Sequence, residues 1–354
     1  MSSNKKWSIS LLCLVLALLI GFGTVIIIID PYFHYHAPLS FLEYPIHNER
    51  YQNDGIVKHF EYNGIITGTS MTQNFKVSEF DELFGVNSVK VSFAGASYRE
   101  INENLKRAVR ANPDIQIILR GLDYNALGYK KDDMLYDSVL YPLYLYDDKF
   151  YNDVRYILNK SVWFNDAYGV IEYTKAGNET TDFDSYNNWN AHYAFGKEAV
   201  DATYSRNERS DEIVRMTDDD YKNLHEHLRQ NITLFVEKNP QINFYLFFTP
   251  YSIYYWDSLN QSGMLEKQLE LEKETIKTLI SYENIYLFSF FDEFEMICDL
   301  NNYKDIAHYG EDVNSQILLW MYSKEHMLTE ENYQKYCDKI YEFYTTYDYD
   351  TLFR

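Results

Sequence analysis

The feature that most constrains this chain is a run of 23 uncharged residues, Trp7 to Ile29, built mainly from Leu, Ile and Val. About 20 such residues are enough to cross a bilayer as a helix. Lys5 and Lys6 precede the run, and Asp30-Pro31 ends it. Cations on the leading side predict a retained single-pass anchor, with the N-terminus cytoplasmic and residues 31–354 outside the cell membrane. A cleaved signal peptide would carry a shorter apolar region, ~7–15 residues, and an Ala-x-Ala-like site after it. This run is longer and has no such site. Cys13 lies inside it without the setting of a lipidation motif.

The chain beyond the anchor is long enough for one large domain or two ordinary ones. A hydrophobic content of 46% excludes a mainly disordered state. The formal charge of −21, with no basic stripe, excludes a nucleic-acid backbone as partner. The 35 tyrosines suit sugar rings and interfaces, although Asn, Lys and Ile are also plentiful, so a compositional bias accounts for most of them. Cys298 and Cys337 allow one disulfide and no framework. No Cys/His spacing suggests zinc, and neither a metal nor a cofactor is expected. His225 and His227, two apart in a predicted helix, point to different faces and read as solvated.

Residues 31–62 show weak periodicity and read as a juxtamembrane arm. From residue 63 the pattern becomes that of an α/β fold. Gly64–Thr67 is a predicted strand, Glu79–Leu83 a short helix, and Ser88–Phe93 a second strand closed by Ala94-Gly95-Ala96. Ser97 caps a helix to about Ala111, and Ile115–Leu119 is an apolar run suited to a buried parallel strand. Between about 125 and 220 the pattern breaks into a long insertion rich in Tyr, Asp and Asn, with patches such as Tyr186-Asn187-Asn188-Trp189-Asn190. Such a segment suits a lid or a substrate platform over the sheet. Asp218–Glu237 is then a helix, Asn243–Phe248 a strand with Thr249-Pro250-Tyr251-Ser252 at its tip, Leu265–Ile280 a helix and Asn284–Phe288 a strand. Two helices close the chain, from about Asp312 to Tyr322 and from Thr329 to Tyr344.

Four blocks in this pattern carry chemistry. Gly68-Thr69-Ser70 ends the first strand, Gly95 follows the second, Gly121-Leu122-Asp123-Tyr124-Asn125 follows the third, and Asp305-Ile306-Ala307-His308 precedes a late helix. A serine at a strand tip becomes a nucleophile when a base lies beside it. His308 suits that base, and Asp305, three residues earlier, suits the group that fixes its tautomer. Asp299 is a rival for that last role.

In order and spacing the four blocks resemble the SGNH, or GDSL-like, hydrolase superfamily, over roughly residues 63–125 and 240–322. The resemblance implies a three-layer, flavodoxin-like fold with a mostly parallel sheet. It also implies a catalytic Ser70-His308-Asp305 set and an oxyanion hole from the N–H groups of Ser70 and Gly95, for which Asn125 is a candidate substitute donor, with a substrate cleft beside Asp123 and Tyr251. There are two departures. Thr69 stands where the family has Asp, and Asp123 stands where it has an oxyanion-stabilising Asn. An ionised carboxylate repels an oxyanion. Asp123 therefore reads as structural, bound to Arg120, Arg99 or a backbone turn.

The anchor, the exterior domain and the altered third block resemble cell-envelope members of this family, of the teichoic-acid D-alanylation and the alginate and peptidoglycan O-acetylation types. The resemblance implies serine-dependent acyl transfer or ester hydrolysis on an exported glycopolymer, with a multi-spanning membrane O-acyltransferase as partner. The alternative is a non-catalytic module that binds a glycan or that membrane partner. The expected division is an anchor over 1–30, an arm over 31–62 and one domain over 63–354.

Overall fold

The structure, a computed structural model, describes residues 3–136 and 141–354. Its centre is a six-stranded sheet: β1 (Gly64–Gly68), β2 (Ser88–Ser92), β3 (Ile117–Leu122), β4 (Asn243–Phe248), β5 (Ile285–Phe288) and β6 (Met327–Leu328). The spatial order is β2-β1-β3-β4-β5-β6. The first five strands are parallel and only β6 is antiparallel. Parallel strands joined by helical crossovers are covered on both faces, which is why β1 and β3 are almost wholly buried and read as near-continuous apolar runs. The strand order reverses at β1, with β2 on one side and β3 on the other. Such a reversal opens a crevice beyond the strands' C-terminal ends. Gly68-Thr69-Ser70 and Asp123 both lie there.

Most predicted elements are present with shifts at their ends. The helix Tyr98–Ala111 is capped by Ser97, whose hydroxyl accepts from the Glu100 N–H at 3.3 Å. The helix expected over Asp218–Glu237 is Asp218–Leu228 and Leu234–Lys238, joined by a wider, π-type turn at Arg229–Thr233. His227 corrects the solvated reading. It is 1% exposed, its ring tilted against that of Tyr98 at 4.9 Å, and burial pushes its pKa down to about 4. His225 is exposed. Cys298 and Cys337 are both free thiols, so the disulfide does not form.

By packing, the chain forms two compact units, Met1–Phe60 with Val139–Asp182, and Glu61–Ser138 with Phe183–Arg354. Residues 31–62 are thus more than an arm. They hold a helix, Glu49–His59, with most of its side chains buried. Its periodicity is weak because polar groups fill the buried face. Gln52 accepts from the N–H groups of His47 and Asn48 and donates to the carbonyls of Pro31 and Pro45. Part of the expected insertion belongs to the same unit. Tyr156 donates to Asp30 at 2.7 Å, and Tyr32 donates to Asp166 at 2.8 Å. The N-terminal helix, Ser3–Ile29, is long and apolar enough to cross a membrane.

Candidate active site

β1 ends at Gly68, and Thr69 caps a single turn of 3₁₀ helix, Ser70–Thr72. That turn fits only because two neighbours lack side chains. A Cβ on Gly68 would meet the Thr72 methyl at 2.6 Å, and one on Gly121 would meet the same methyl at 2.8 Å. The Thr72 hydroxyl donates to the Thr69 carbonyl at 2.9 Å and lies 2.7 Å from the Ser92 hydroxyl. The turn is therefore keyed to β1, β2 and β3 together. Behind it, the buried Lys90 of β2 donates to the carbonyls of Gln73 and Phe75.

The late block arrives on a tight loop. Tyr303 and Tyr309 bridge across it, and the Lys304 N–H donates to the His308 carbonyl. The loop is docked on the tip of β4, where the N–H and hydroxyl of Ser252 both donate to the Ile306 carbonyl. This brings His308 Nε2 to 2.8 Å from Ser70 Oγ, across 238 residues of sequence. Asp305 lies on the other ring nitrogen, with its two oxygens 3.0 and 2.9 Å from His308 Nδ1. Asp299, the rival, instead accepts from the backbone and side chain of Asn301.

Asp305 is well supplied with donors. Its Oδ1 accepts from the N–H groups of Ala307 and His308, and Lys304 Nζ lies 2.7 Å from Oδ2. Partial burial works to raise its pKa, but the bonds and charge of His308 and Lys304 outweigh it. They hold the carboxyl well below the usual carboxylate range. Asp305 is thus ionised wherever a histidine base operates.

Asp123 corrects an expectation. Its side chain is bound by neither arginine. Arg120 donates to the carbonyls of Asn231 and Tyr98, and Arg99 donates to that of Asp132. The partner is Thr69, whose hydroxyl donates to Asp123 Oδ1 at 2.6 Å. Thr69 and Asp123 thus form a single hydrogen-bonded pair across the tips of β1 and β3. Burial raises the Asp123 pKa to about 6, with the Thr69 bond, His308 and the Tyr251 hydroxyl opposing it.

Gly95 sits in the turn after β2 at φ +64. Among the described residues, the N–H groups of Ser70 and Gly95 donate no hydrogen bond. Asn125 is exposed, and its Oδ1 accepts from the Tyr251 hydroxyl at 3.3 Å. Tyr251 is 2% exposed, so it forms wall rather than open cleft.

Two residues were missed by the sequence reading. Trp189 donates from Nε1 to the Ser70 carbonyl at 3.1 Å, and its ring stands edge-on to His308 at 5.6 Å. Lys304 lies 5.2 Å above the Trp189 ring and 4.5 Å above that of Tyr193. The patch around Trp189 was the available signal for the first, and adjacency to Asp305 for the second.

Away from this site, Asp292, Glu293 and His326 bring ligating atoms within 4.8 Å of one another. Lys339 Nζ, 2.9 Å from Asp292 Oδ2, already supplies positive charge there, so the group reads as an ion-pair cluster.

A scan against models of known protein families matches none of them, and a search of curated proteins finds no relative.

Proposed function

We propose that this chain is a serine-dependent acyl-transfer protein of SGNH type, acting outside the cell membrane on an exported glycopolymer. The carrying observation is the Ser70-His308-Asp305 chain of hydrogen bonds. The strand order and the order of the four blocks support a three-layer, flavodoxin-like SGNH fold. In this reading Ser70 Oγ attacks an acyl carbonyl while His308 Nε2 takes its proton. The N–H groups of Ser70 and Gly95 receive the oxyanion. The carbonyl reforms, the bond to the leaving oxygen breaks, and His308 returns the proton to that oxygen. An acyl-Ser70 ester remains, which water or a sugar hydroxyl then resolves by the same steps.

The membrane-spanning helix, N-terminus inward, would hold the site at the outer surface. There a polysaccharide or teichoic-acid-like acceptor and a multi-spanning acyl donor are suitable partners. The Trp189 ring beside His308 favours a sugar acceptor, since an aromatic side chain offers an apolar face with a polar edge.

A fluorophosphonate probe on the full chain in detergent tests the reading. Labelling is expected on Ser70 and absent in Ser70→Ala. A folded protein that stays unlabelled favours the second reading, a non-catalytic binding module, for which the carboxylate of Asp123 is the supporting observation. Transfer is separated from hydrolysis by supplying an acyl ester with and without an oligosaccharide. Acyl groups recovered only in water would sink the transferase preference.

A further inference from the structure

Residues 149–168 carry an unusual surface. Phe150, Tyr151, Val154, Leu158, Phe164 and Tyr168 are all exposed, Phe150 by 84% and Phe164 by 70%. Single exposed apolar residues are ordinary, but six within one short segment are not. The segment packs against the last two turns of the N-terminal helix. Trp163 meets Phe22 edge-on at 5.0 Å, and Ile157 leaves only 3.1 Å to a Cβ placed on Gly23. On the face turned to the segment Gly23, Ile26 and Ile29 are buried, while Val25, Ile27 and Ile28 on the other sides of the helix are bare.

The depth of this contact decides what covers the segment. Phe22 lies two turns below Ile29, about 10 Å at 1.5 Å per residue. If the helix emerged from the bilayer below Phe22, the apolar residues left from Trp7 to Gly21 would measure about 22 Å, short of the ~30 Å hydrocarbon core. If instead the whole run is used to cross, Trp163 and its neighbours lie at or below the headgroup level. Lys149, Arg155 and Lys160 are exposed in the same segment and suit lipid phosphates, whereas Asp153 and Asp166 accept hydrogen bonds from Tyr35 and Tyr32.

We propose that residues 149–168 form a second membrane contact, an interfacial element that dips into the outer leaflet beside the N-terminal helix. It rests on the reading of that helix as membrane-spanning. The ligand is the phospholipid surface itself, with aromatic and aliphatic side chains at the acyl boundary and three cations at the headgroups.

The full chain is reconstituted into phosphatidylcholine–phosphatidylglycerol vesicles containing a phospholipid with a photoactivatable acyl chain, and adducts are mapped by mass spectrometry. Adducts are expected on Trp7–Ile20 and also on 149–168, the latter at least about tenfold above those on the exposed Leu319 and Tyr322. Adducts on the helix alone overturn the proposal while leaving the spanning reading intact, and imply that a protein covers this face instead. Adducts on neither segment remove the spanning reading, and the proposal with it.

Discussion

Two carboxylates flank the same serine and histidine, and their surroundings drive them apart. Asp305 sits on a loop among two backbone N–H groups, an imidazole and an ammonium, and it is held ionised. Asp123 sits at a buried strand tip with one short bond from a hydroxyl, and its pKa rises to about 6. The distances to neighbouring donors are similar. The difference lies in the charge of the donors and the amount of water displaced. A third carboxylate shows that the number of donors is not the deciding quantity. Glu272, fully buried, takes bonds from the hydroxyls of Tyr124, Tyr336 and Ser289, yet burial still raises its pKa to about 7.

Each member of the comparison can be broken separately. The largest effect is expected for Asp305→Asn, which keeps the shape but inverts the hydrogen-bond demand on His308 Nδ1. Probe labelling of Ser70 should slow by about 10³–10⁴-fold. A fall of less than tenfold would mean that Asp305 is not the orienting group.

Glu272→Gln comes next and concerns stability. A carboxyl with a raised folded pKa contributes stability that is fully present below its unfolded pKa and lost as pH rises through the folded value. The parent chain should lose roughly 3 kcal/mol between pH 4.5 and 7 from this group, and the variant should not. Denaturant unfolding of the full chain in detergent across that window measures the difference. Identical pH slopes would refute the assignment.

Asp123→Asn follows the same sign on a smaller scale. It should remove a loss of the order of 1–3 kcal/mol between about pH 4 and 6 and, in the proposed mechanism, replace a charge that repels the oxyanion with a neutral amide. Labelling above pH 7 should rise by about tenfold while the rates below pH 5 stay close. A slower variant at every pH would mark the carboxylate itself as functional.

Lys304→Met is the mildest. It removes one of Asp305's partners and leaves the N–H groups in place, so labelling should drop about 2–10-fold. A loss as large as that of Asp305→Asn would mean that the ammonium, rather than the loop backbone, holds the carboxylate.

The sheet was legible where a strand is an apolar run with a clear break before it. Asn243–Phe248 is such a run, Asn239-Pro240 breaks the helix before it, and the strand has the expected ends. The triad geometry was legible because Asp305 and His308 travel on one loop. Other features left no local trace. The helix Glu49–His59 buries polar groups that bond distant backbone. The helix Ile253–Gln261 has Tyr and Trp buried on most sides and so shows no stripe. β6 is two residues long and exists only by pairing with β5. The Thr69–Asp123 bond joins residues that each looked like an isolated departure, and only the adjacency of β1 and β3 pairs them.

The separation of 238 positions from Ser70 to His308 also sets an order of events during synthesis. A chain made N-terminus first presents the serine early and its base late, after β4 and β5 have been delivered and the loop has a tip to dock on. Until then Ser70 is an ordinary alcohol. If the proposed chemistry holds, the molecule is in effect armed by its own completion, and a chain truncated before residue 308 would carry Ser70 without the imidazole beside it.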